Sequence, residues 1–436
     1  MSCSVLVEKI AMRGSIDRRT FLGTAASAGV IAGVARAKDN SRPNEKIVIG
    51  VMGVNGRGTA LARGFAGHAG SEVAYICDVD ERAVAKAAAA TTKIQQHKPK
   101  RVGDFRRILD DKTVDVLVIA APDHWHAPAT ILACAADKHV YVEKPCSHNP
   151  NEGELMVAAS RKHKRVVQMG TQRRSWPAIV EGIKKVHDGE IGRVLYSRGW
   201  YNNRRGTIGR GKTTDVPAWL DYKLWQGPAP DVPFRDNVLH YNWHWFWHWG
   251  TGEMGNNGIH ALDLCRWGLG VDYPTRISAG GGKYRYDDDQ QTPDTHTVSY
   301  EFGGKTIQWE GLSWSPRGCE GEMFGASFHG TEGTLVLLGA GYKIYDMRNK
   351  LKAEKSAASG DATHLANFLE CVRSGEQPNA DILTGHRTTL LCHLGNISYR
   401  VGRTLNTNPK NGHIIGDDNA AALWNRKYRK GWEPIV

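Results

Sequence analysis

A glycine-rich turn at residues 53–58 is the first feature of this 436-residue chain that could do chemistry. It reads Gly53-Val54-Asn55-Gly56-Arg57-Gly58 and follows the β-branched apolar run 47–51. The pattern is close to G-x-G-x-x-G, in which one glycine makes the turn, one lets a pyrophosphate approach the backbone, and one lets a helix pack on the strand. Asn55 occupies the middle position, but Gly56 beside it keeps the loop small. We therefore predict that Gly53, Asn55, Gly56, Arg57 and Gly58 bind a dinucleotide.

A carboxylate supports the same interpretation. Asp78 follows a second predicted strand, 72–77, and lies about 20 residues beyond the glycine turn. At this position a carboxylate accepts hydrogen bonds from the adenosine ribose and repels a 2′-phosphate. Asp78 therefore predicts NAD rather than NADP as the cofactor.

Two later strands end in further polar motifs. The apolar run 114–120 is followed by Pro122 and, four residues on, by His126; the run 139–142 is followed by Glu143-Lys144-Pro145. Ligands of open parallel sheets bind at the carboxyl ends of the strands. We predict that Pro122, His126, Glu143 and Lys144 line the cofactor site, with Lys144 at its nicotinamide end.

The elements that must position these residues alternate between short apolar strands and helices from residue 46 to residue 170. This alternation predicts an α/β fold, a doubly wound parallel sheet of the Rossmann type over residues 46–170. In residues 171–436 strands predominate, and Gly303-Gly304 indicates a hairpin. We predict that this second part is an α+β domain on a mainly antiparallel sheet. A helix is expected at 128–138, with Pro128 in its first turn.

The N-terminus carries an export pattern. Arg18-Arg19 precedes Thr20-Phe21-Leu22, an apolar stretch runs to Val34, and Ala35-Arg36-Ala37 is a small-residue cleavage site. We predict a twin-arginine signal peptide at 1–37, a polar linker at 38–45 and a periplasmic mature protein. The apolar stretch is too short for a stable membrane span, which needs about 20 residues, so no membrane insertion is expected once the signal is removed.

Composition limits the remaining function classes. The formal net charge is +12, but the basic residues are dispersed, and the run at 426–430 is interpreted as a solvated face rather than a nucleic-acid site. The eight cysteines form no C-x-x-C pair and no zinc spacing, so free buried thiols are expected.

These motifs occur in an order that resembles the Gfo/Idh/MocA family, which includes glucose–fructose oxidoreductase and inositol dehydrogenase. The resemblance covers about residues 46–400. It depends on the glycine turn, Pro122-x-x-x-His126, Glu143-Lys144-Pro145, and the run Gly255-Asn256-Asn257-Gly258-Ile259-His260-Ala261-Leu262-Asp263. It implies hydride transfer between a sugar or polyol carbon and a nicotinamide.

The resemblance also implies residue roles. Lys144 would donate a hydrogen bond to the reacting hydroxyl, and His260 would take its proton. The family usually carries a carboxylate four residues before that histidine, where this chain has Asn256. Asparagine can position an imidazole but cannot stabilise imidazolium by charge, so a weaker base is expected unless Asp263, three residues after His260, compensates.

Substrate binding is expected from two further places. In this family the residues after the strand ending at Gly170 often bind substrate, which implies roles for Gln172 and Arg173. The stretch 240–249 contains four tryptophans and three histidines, and Trp249, next to the histidine motif, is a candidate for stacking on a sugar face. Two alternatives stay open: these rings fill an interdomain core, or His240, His244 and His248 share one helical face as metal ligands. No carboxylate partner is evident, so no metal is predicted.

Export restricts the chemistry, because soluble NADH is not regenerated outside the cytoplasm. The cofactor would therefore stay tightly bound, and we predict a sugar or polyol oxidoreductase. The alternatives are a redox-neutral glycosidase or lyase that works by transient oxidation and elimination, and a non-catalytic sugar-binding protein, to which Asn256 points. The expected partners are a small carbohydrate or polyol and, through the sheet face that commonly mediates oligomers in this family, further copies of the chain.

Overall fold

The computed structural model describes residues 46–436, so the signal and linker predicted at 1–37 and 38–45 lie outside the described residues. Its first sheet has six parallel strands in the order β3-β2-β1-β4-β5-β6. The strands are β1 (Ile47–Met52), β2 (Ser71–Cys77), β3 (Lys100–Val102), β4 (Val116–Ile119), β5 (His139–Val142) and β6 (Val167–Met169). The strand order reverses between β1 and β4, and such a reversal opens a ligand crevice at the carboxyl ends of the strands.

Five helices follow strands of this sheet or precede them: α1 (Arg57–Ala66), α2 (Glu81–Gln95), α3 (Arg106–Asp110), α4 (Asp123–Ala135) and α5 (Pro150–Lys162). Two of them begin at side-chain caps. The Asp80 carboxylate accepts from the backbone N–H of Arg82 at the start of α2, and the Asn149 amide oxygen accepts from that of Glu152 in α5. These caps fix the residues at which α2 and α5 begin.

Helix α4 begins five residues earlier than predicted, so the predicted start at Pro128 is wrong. Pro128 lies inside the helix, where it lacks the N–H that would bond to the carbonyl of His124. The Arg426 guanidinium donates to that carbonyl at 2.8 Å. A contact from the far end of the chain therefore satisfies the group that proline leaves free.

The second sheet has ten strands in the order β14-β13-β12-β11-β7-β10-β9-β8-β15-β16. They are β7 (Val194–Asn202), β8 (Arg276–Gly282), β9 (Thr295–Glu301), β10 (Thr306–Leu312), β11 (Phe324–Gly330), β12 (Gly333–Leu338), β13 (Gly341–Asp346), β14 (Leu351–Lys355), β15 (Leu405–Thr407) and β16 (Ile414–Ile415). Its pairings are antiparallel except for β7 with β10, which is parallel. The predicted fold class is confirmed: a parallel Rossmann sheet is joined to a mainly antiparallel one.

The remaining helices are α6 (Pro177–His187), α7 (Tyr222–Gln226), α8 (Ile259–Leu269), α9 (Asp361–Ser374), α10 (Ile382–Val401) and α11 (Asp418–Ala421). Helix α9 packs on the Rossmann part although it follows the second sheet in sequence. Its Phe368 contacts Phe65 of α1 and Tyr141 of β5, with ring centroids 6.3 Å and 5.7 Å apart. The Rossmann core therefore includes a helix from the region predicted as the second domain.

Residues 203–250 contain little regular structure apart from α7 and a short 3₁₀ turn at 242–245. This segment has its own buried aromatic cluster, which includes Trp225, Phe234, Phe246 and Trp249. It also contacts the Rossmann part, since the indole N–H of Trp125 donates to the Trp225 carbonyl at 2.9 Å. Of the described cysteines six are buried, and the described range contains no disulfide and no helix long and apolar enough to cross a membrane.

Candidate active site between the two domains

One cavity of about 580 Å³ lies between the carboxyl edge of the Rossmann sheet and the second domain. Most of the predicted site residues line it, although they come from both domains. They are Gly53, Asn55, Gly56, Arg57, Asp78, Pro122, His126, Glu143, Lys144, Gln172, Arg173, Asn256 and His260. Gly58, Trp249 and Asp263 do not line it.

The glycine turn forms the end of the cavity beside β1. Gly53 has a φ of +81°, and a Cβ there would lie 2.4 Å from the Ala121 backbone nitrogen, so no other residue fits. A Cβ on Gly58 would lie 1.9 Å from the Gly53 carbonyl oxygen. Gly58 therefore lets α1 approach the turn closely, and its part in nucleotide binding is indirect.

The start of α1 fits a phosphate group. None of the described side chains caps this helix, and its N-cap residue Gly56 and first residue Arg57 line the cavity. Uncapped backbone N–H groups at a helix N-terminus bind anions. The turn and helix therefore fit the pyrophosphate of a dinucleotide.

Asp78 lies at the end of β2, on the same cavity wall. Its carboxylate accepts from the backbone N–H groups of Val54 at 2.6 Å and Asp80 at 3.0 Å. Burial raises the pKa of Asp78, while these two hydrogen bonds lower it. The amide contacts fix the carboxylate beside the glycine turn, where it can accept ribose hydroxyls.

Glu143 and His126 line the cavity but are occupied by protein groups. The Glu143 carboxylate accepts from Arg57 Nε at 2.8 Å, and the amide of Gln172 lies 3.5 Å from it. Both ring nitrogens of His126 lie on backbone carbonyls, at 2.6 Å from Pro145 O and 2.7 Å from Ala121 O. Neither ring nitrogen is left for a hydrogen bond to a cofactor, so the predicted role of His126 as a cofactor-binding residue stays a prediction and is restricted to packing of its ring.

Lys144 reaches across the cavity to the second domain. Its Nζ donates to the Asn256 carbonyl oxygen at 2.6 Å and lies 3.4 Å from the Asn256 amide oxygen. Burial lowers the pKa of Lys144, while the carboxylates of Glu143 and Asp123 raise it. Because an ammonium group has three N–H donors, one remains for a substrate oxygen.

His260 lies in the first turn of α8. Its Nδ1 is buried and makes no hydrogen bond to any of the residues in 46–436. Burial lowers its pKa well below the ordinary value of 6.5, and the cationic side chains of Arg173 and Lys144 lower it further. At neutral pH the imidazole is therefore uncharged, and the lowered pKa makes it a weaker base than a free histidine.

The two residues expected to support His260 are engaged elsewhere. The Asn256 amide contacts Lys144 and donates to the Tyr241 hydroxyl at 3.0 Å. Asp263 is buried and accepts from Arg174 Nε at 2.8 Å and from Arg174 Nη2 at 2.9 Å. The expectation that Asn256 or Asp263 supports the imidazole is therefore wrong, since Asn256 positions Lys144 and Asp263 neutralises a buried guanidinium.

The aromatic stretch contributes differently from the prediction. Trp249 is buried in the aromatic cluster of 203–250, 5.1 Å from the Trp225 ring, so the predicted substrate contact of Trp249 is wrong. Tyr241, Trp243 and His244 from the same stretch line the cavity instead. The alternative in which His240, His244 and His248 share one helical face as metal ligands is wrong, because residues 242–245 form only one 3₁₀ turn and no α-helix.

Sequence reasoning also missed two acidic residues of the cavity. Asp123 is buried and accepts from the Thr251 hydroxyl at 2.6 Å; burial raises its pKa to about 7. Asp361, at the start of α9, accepts from the indole N–H of Trp176 at 3.1 Å. The position of Asp123 beside Pro122 at a strand end was a usable signal, whereas nothing in the sequence places Asp361 at this edge.

Family models match both parts of the chain. Residues 47–171 match the NAD-binding Rossmann fold of the oxidoreductase family, and residues 197–434 match its C-terminal α/β domain. The chain belongs to the Gfo/Idh/MocA oxidoreductase family. The first match also agrees with the predicted NAD cofactor.

Three curated relatives of this chain are named as different enzymes, two of them dehydrogenases and one a glycosyl hydrolase family protein. A levoglucosan dehydrogenase of Pseudarthrobacter phenanthrenivorans is 37% identical over 167 residues, 38% of this chain and 36% of the relative. An inositol 2-dehydrogenase of Salmonella paratyphi B is 30% identical over 190 residues (40% and 55%), and a glycosyl hydrolase family 109 protein of Saccharopolyspora erythraea is 30% identical over 209 residues (42% and 45%). The matched segments span about half of these relatives or less.

Solved structures extend the similarity over the whole fold. The Bordetella pertussis WlbA dehydrogenase, in complex with NADH and UDP-GlcNAcA, matches 84% of this chain and 99% of its own with a TM-score of 0.64 and 19% identity. A levoglucosan dehydrogenase in complex with NADH and levoglucosan matches 83% and 99% with a TM-score of 0.66 and 18% identity. At these identities the likeness establishes the two-domain fold.

Proposed function

We propose that this protein is an NAD-dependent oxidoreductase that transfers hydride between a carbon of a sugar or polyol and the cofactor. One observation carries the proposal: Lys144 from the Rossmann part and His260 from the second domain line the same cavity as Gly53 and Asp78. Gly53, the start of α1 and Asp78 would hold the dinucleotide, which accepts or donates hydride when bound.

The side chains at the other end of the cavity perform the proton chemistry. Lys144 uses its remaining N–H to bind the reacting hydroxyl oxygen and stabilises the negative charge that develops as the proton leaves. His260, uncharged at neutral pH, accepts that proton on its imidazole and returns it in the reverse direction. Both side chains are only partly exposed, and the limited contact with bulk water strengthens each interaction.

The aromatic wall fits a carbohydrate. The rings of Tyr241 and Trp243 line the cavity, and aromatic faces pack on the C–H faces of sugars. The Tyr241 hydroxyl accepts from the Asn256 amide, so its own hydrogen is free to donate to a sugar oxygen. This wall supports a sugar or polyol as the substrate.

The direct test uses the purified full chain. Nucleotide released by denaturation is identified by mass spectrometry, and a panel of aldoses, uronates and inositols is then followed by NADH absorbance and by product analysis. Bound or bindable NAD together with oxidation of at least one sugar or polyol supports the proposal. Absence of nucleotide binding would overturn it.

A second function is favoured by one finding, the similarity to glycosyl hydrolase family 109 proteins. A redox-neutral glycosidase could use the same Lys144 and His260, with the borrowed hydride returned at the end of each turnover. Cleavage of a glycoside without net NADH would assign this function and exclude a simple dehydrogenase. Cofactor binding with neither reaction would indicate a non-catalytic sugar-binding protein.

We further propose that the chain is exported to the periplasm by the twin-arginine route, that its NAD stays bound between turnovers, and that it forms homo-oligomers. The proposal of export rests on Arg18-Arg19 and the segment that follows. The segment 203–250, which adds Trp225, His240 and Tyr241 to the cavity wall, supports slow cofactor release. Fractionation of cells that express an Arg18→Lys, Arg19→Lys variant tests export, and a retained periplasmic location would refute it.

A further inference from the structure

Arg173 is a cationic side chain of the cavity that no carboxylate of the described residues contacts directly, although the charge of Asp361 acts on it and raises its pKa. It follows β6, and it forms no hydrogen bond or ion pair with any part of the chain that the structure describes; its Nε is buried. The adjacent Arg174 is the contrast, since it forms a buried ion pair with Asp263. A guanidinium with five N–H donors that is left unsatisfied in a concave site is a binding group for an anion.

Two rings hold the Arg173 guanidinium in place. Its Cζ lies 4.0 Å from the centroid of the Phe324 ring and 4.8 Å from that of Trp176. Stacking on aromatic faces uses the faces of the guanidinium and leaves the N–H groups at its edge available. Burial lowers the pKa of Arg173 only to about 10, so the group stays positively charged at neutral pH.

Carboxylates of the cavity wall are already engaged. Glu143 and Asp361 lie 2.8 Å and 3.6 Å from nitrogens of Arg57, and Asp123 accepts from the Thr251 hydroxyl. Asp78, at the end of β2, accepts hydrogen bonds from two backbone N–H groups. No carboxylate of the described residues hydrogen-bonds to Arg173, so an anion that pairs with it directly would come from a bound molecule.

The position of Arg173 indicates which molecule. The glycine turn follows β1, whereas Arg173 follows β6, three strands away in the sheet. Arg173 is also the charged group that most lowers the pKa of His260. The charge of Arg173 therefore acts on His260, at the end of the cavity where the proposed function places the substrate.

We propose that Arg173 binds a carboxylate of the substrate, so that the preferred substrates are sugar acids such as hexuronates rather than neutral sugars. This inference rests on the proposed function for the identification of the substrate as a carbohydrate. A planar guanidinium binds a carboxylate through two parallel hydrogen bonds, which a neutral hydroxymethyl group cannot accept in the same way.

The test measures binding to the NAD-loaded full chain by isothermal titration calorimetry. The ligands are glucuronate and galacturonate, each paired with its neutral sugar, glucose and galactose. The proteins are the parent, Arg173→Gln, Arg173→Lys, and Arg63→Gln as a control for loss of one exposed arginine on α1. We expect at least one acid to bind the parent about 10- to 100-fold more tightly than its neutral sugar, because charge-assisted hydrogen bonds contribute this much.

Arg173→Gln should remove that preference, Arg173→Lys should keep part of it, and the control should keep all of it. If no acid binds the parent more tightly than its neutral sugar, the inference is overturned. It is also overturned if Arg173→Gln loses affinity for NAD while the preference for the acid persists, since Arg173 then serves the pyrophosphate. Binding of an acid that depends on Arg173, without turnover of any sugar, would keep this inference and refute the oxidoreductase function.

Discussion

Replacement of Lys144 by methionine should abolish most of the activity without unfolding the protein. The ammonium donates to Asn256 O at 2.6 Å and offers its remaining N–H to the reacting oxygen. Loss of one such donor to a developing negative charge costs about 3–4 kcal/mol in the transition state, which is roughly a 100- to 1000-fold loss in kcat/KM. The assay is NADH formation with the best substrate of the panel, at matched NAD occupancy.

Lys138→Met is the matched control. Lys138 is also buried, and its Nζ donates to the carbonyls of Asp111 and Val114 at 2.8 Å, outside the cavity. This variant should lose about 1–3 kcal/mol of unfolding free energy and keep kcat/KM within about threefold of the parent. If Lys144→Met also stays within threefold while NAD is bound, the assigned role of Lys144 is refuted.

Three further outcomes are expected. Asp78→Ala should raise the Kd for NAD about tenfold through lost hydrogen bonds and narrow the NAD-to-NADP preference; an unchanged preference would contradict the ribose contact. Gly58→Ala should cost about 1–3 kcal/mol of stability and weaken NAD binding, because the added Cβ would clash with the Gly53 carbonyl. Gly64→Ala on the same helix is the control: its Cβ would meet only the end of the Leu365 side chain, so stability and NAD binding should stay unchanged. Stability should also fall as the pH drops from about 6.5 towards 4. Burial lowers the pKa of four histidines in the folded protein to about 3 or 4: His296, His364, His386 and His393. Over this pH range the unfolded chain therefore binds protons that the folded chain does not bind, which favours unfolding. Each contributes about 1 kcal/mol per pH unit, so urea unfolding that is flat across this range would contradict the burial of these rings.

The Rossmann part was predictable because its signals are local. A buried parallel strand is a short β-branched run, and a glycine turn after it has few other uses. The start of α4 was missed because Pro128 normally marks a first turn, and its conflict with the helix interior is resolved by Arg426, about 300 residues later in the sequence. No local pattern carries that information.

The part of the site that lies at strand ends was predictable, because the ends of parallel strands meet at one edge of the sheet. Lys144 and Asp78 follow strands of one parallel sheet, so topology alone brings them to the same edge. Which aromatic side chains face the cavity was not predictable, because the segment that contains Tyr241 and Trp249 lacks a regular period. Trp249 is buried and Tyr241 lines the cavity because of tertiary contacts that residue spacing does not encode.

The asparagine at 256 changes the charge around Lys144 more than it changes the support of His260. Its amide oxygen lies 3.4 Å from Lys144 Nζ, and His260 Nδ1 has no hydrogen-bond partner among the described residues. A carboxylate at this place, as the family pattern has, would therefore pair with the ammonium and cancel its charge at the substrate end of the cavity. With asparagine there, both Lys144 and Arg173 lack a carboxylate partner within hydrogen-bonding distance in the described residues. The departure from the family pattern thus leaves two cations to face the substrate, which favours a substrate that brings its own negative charge.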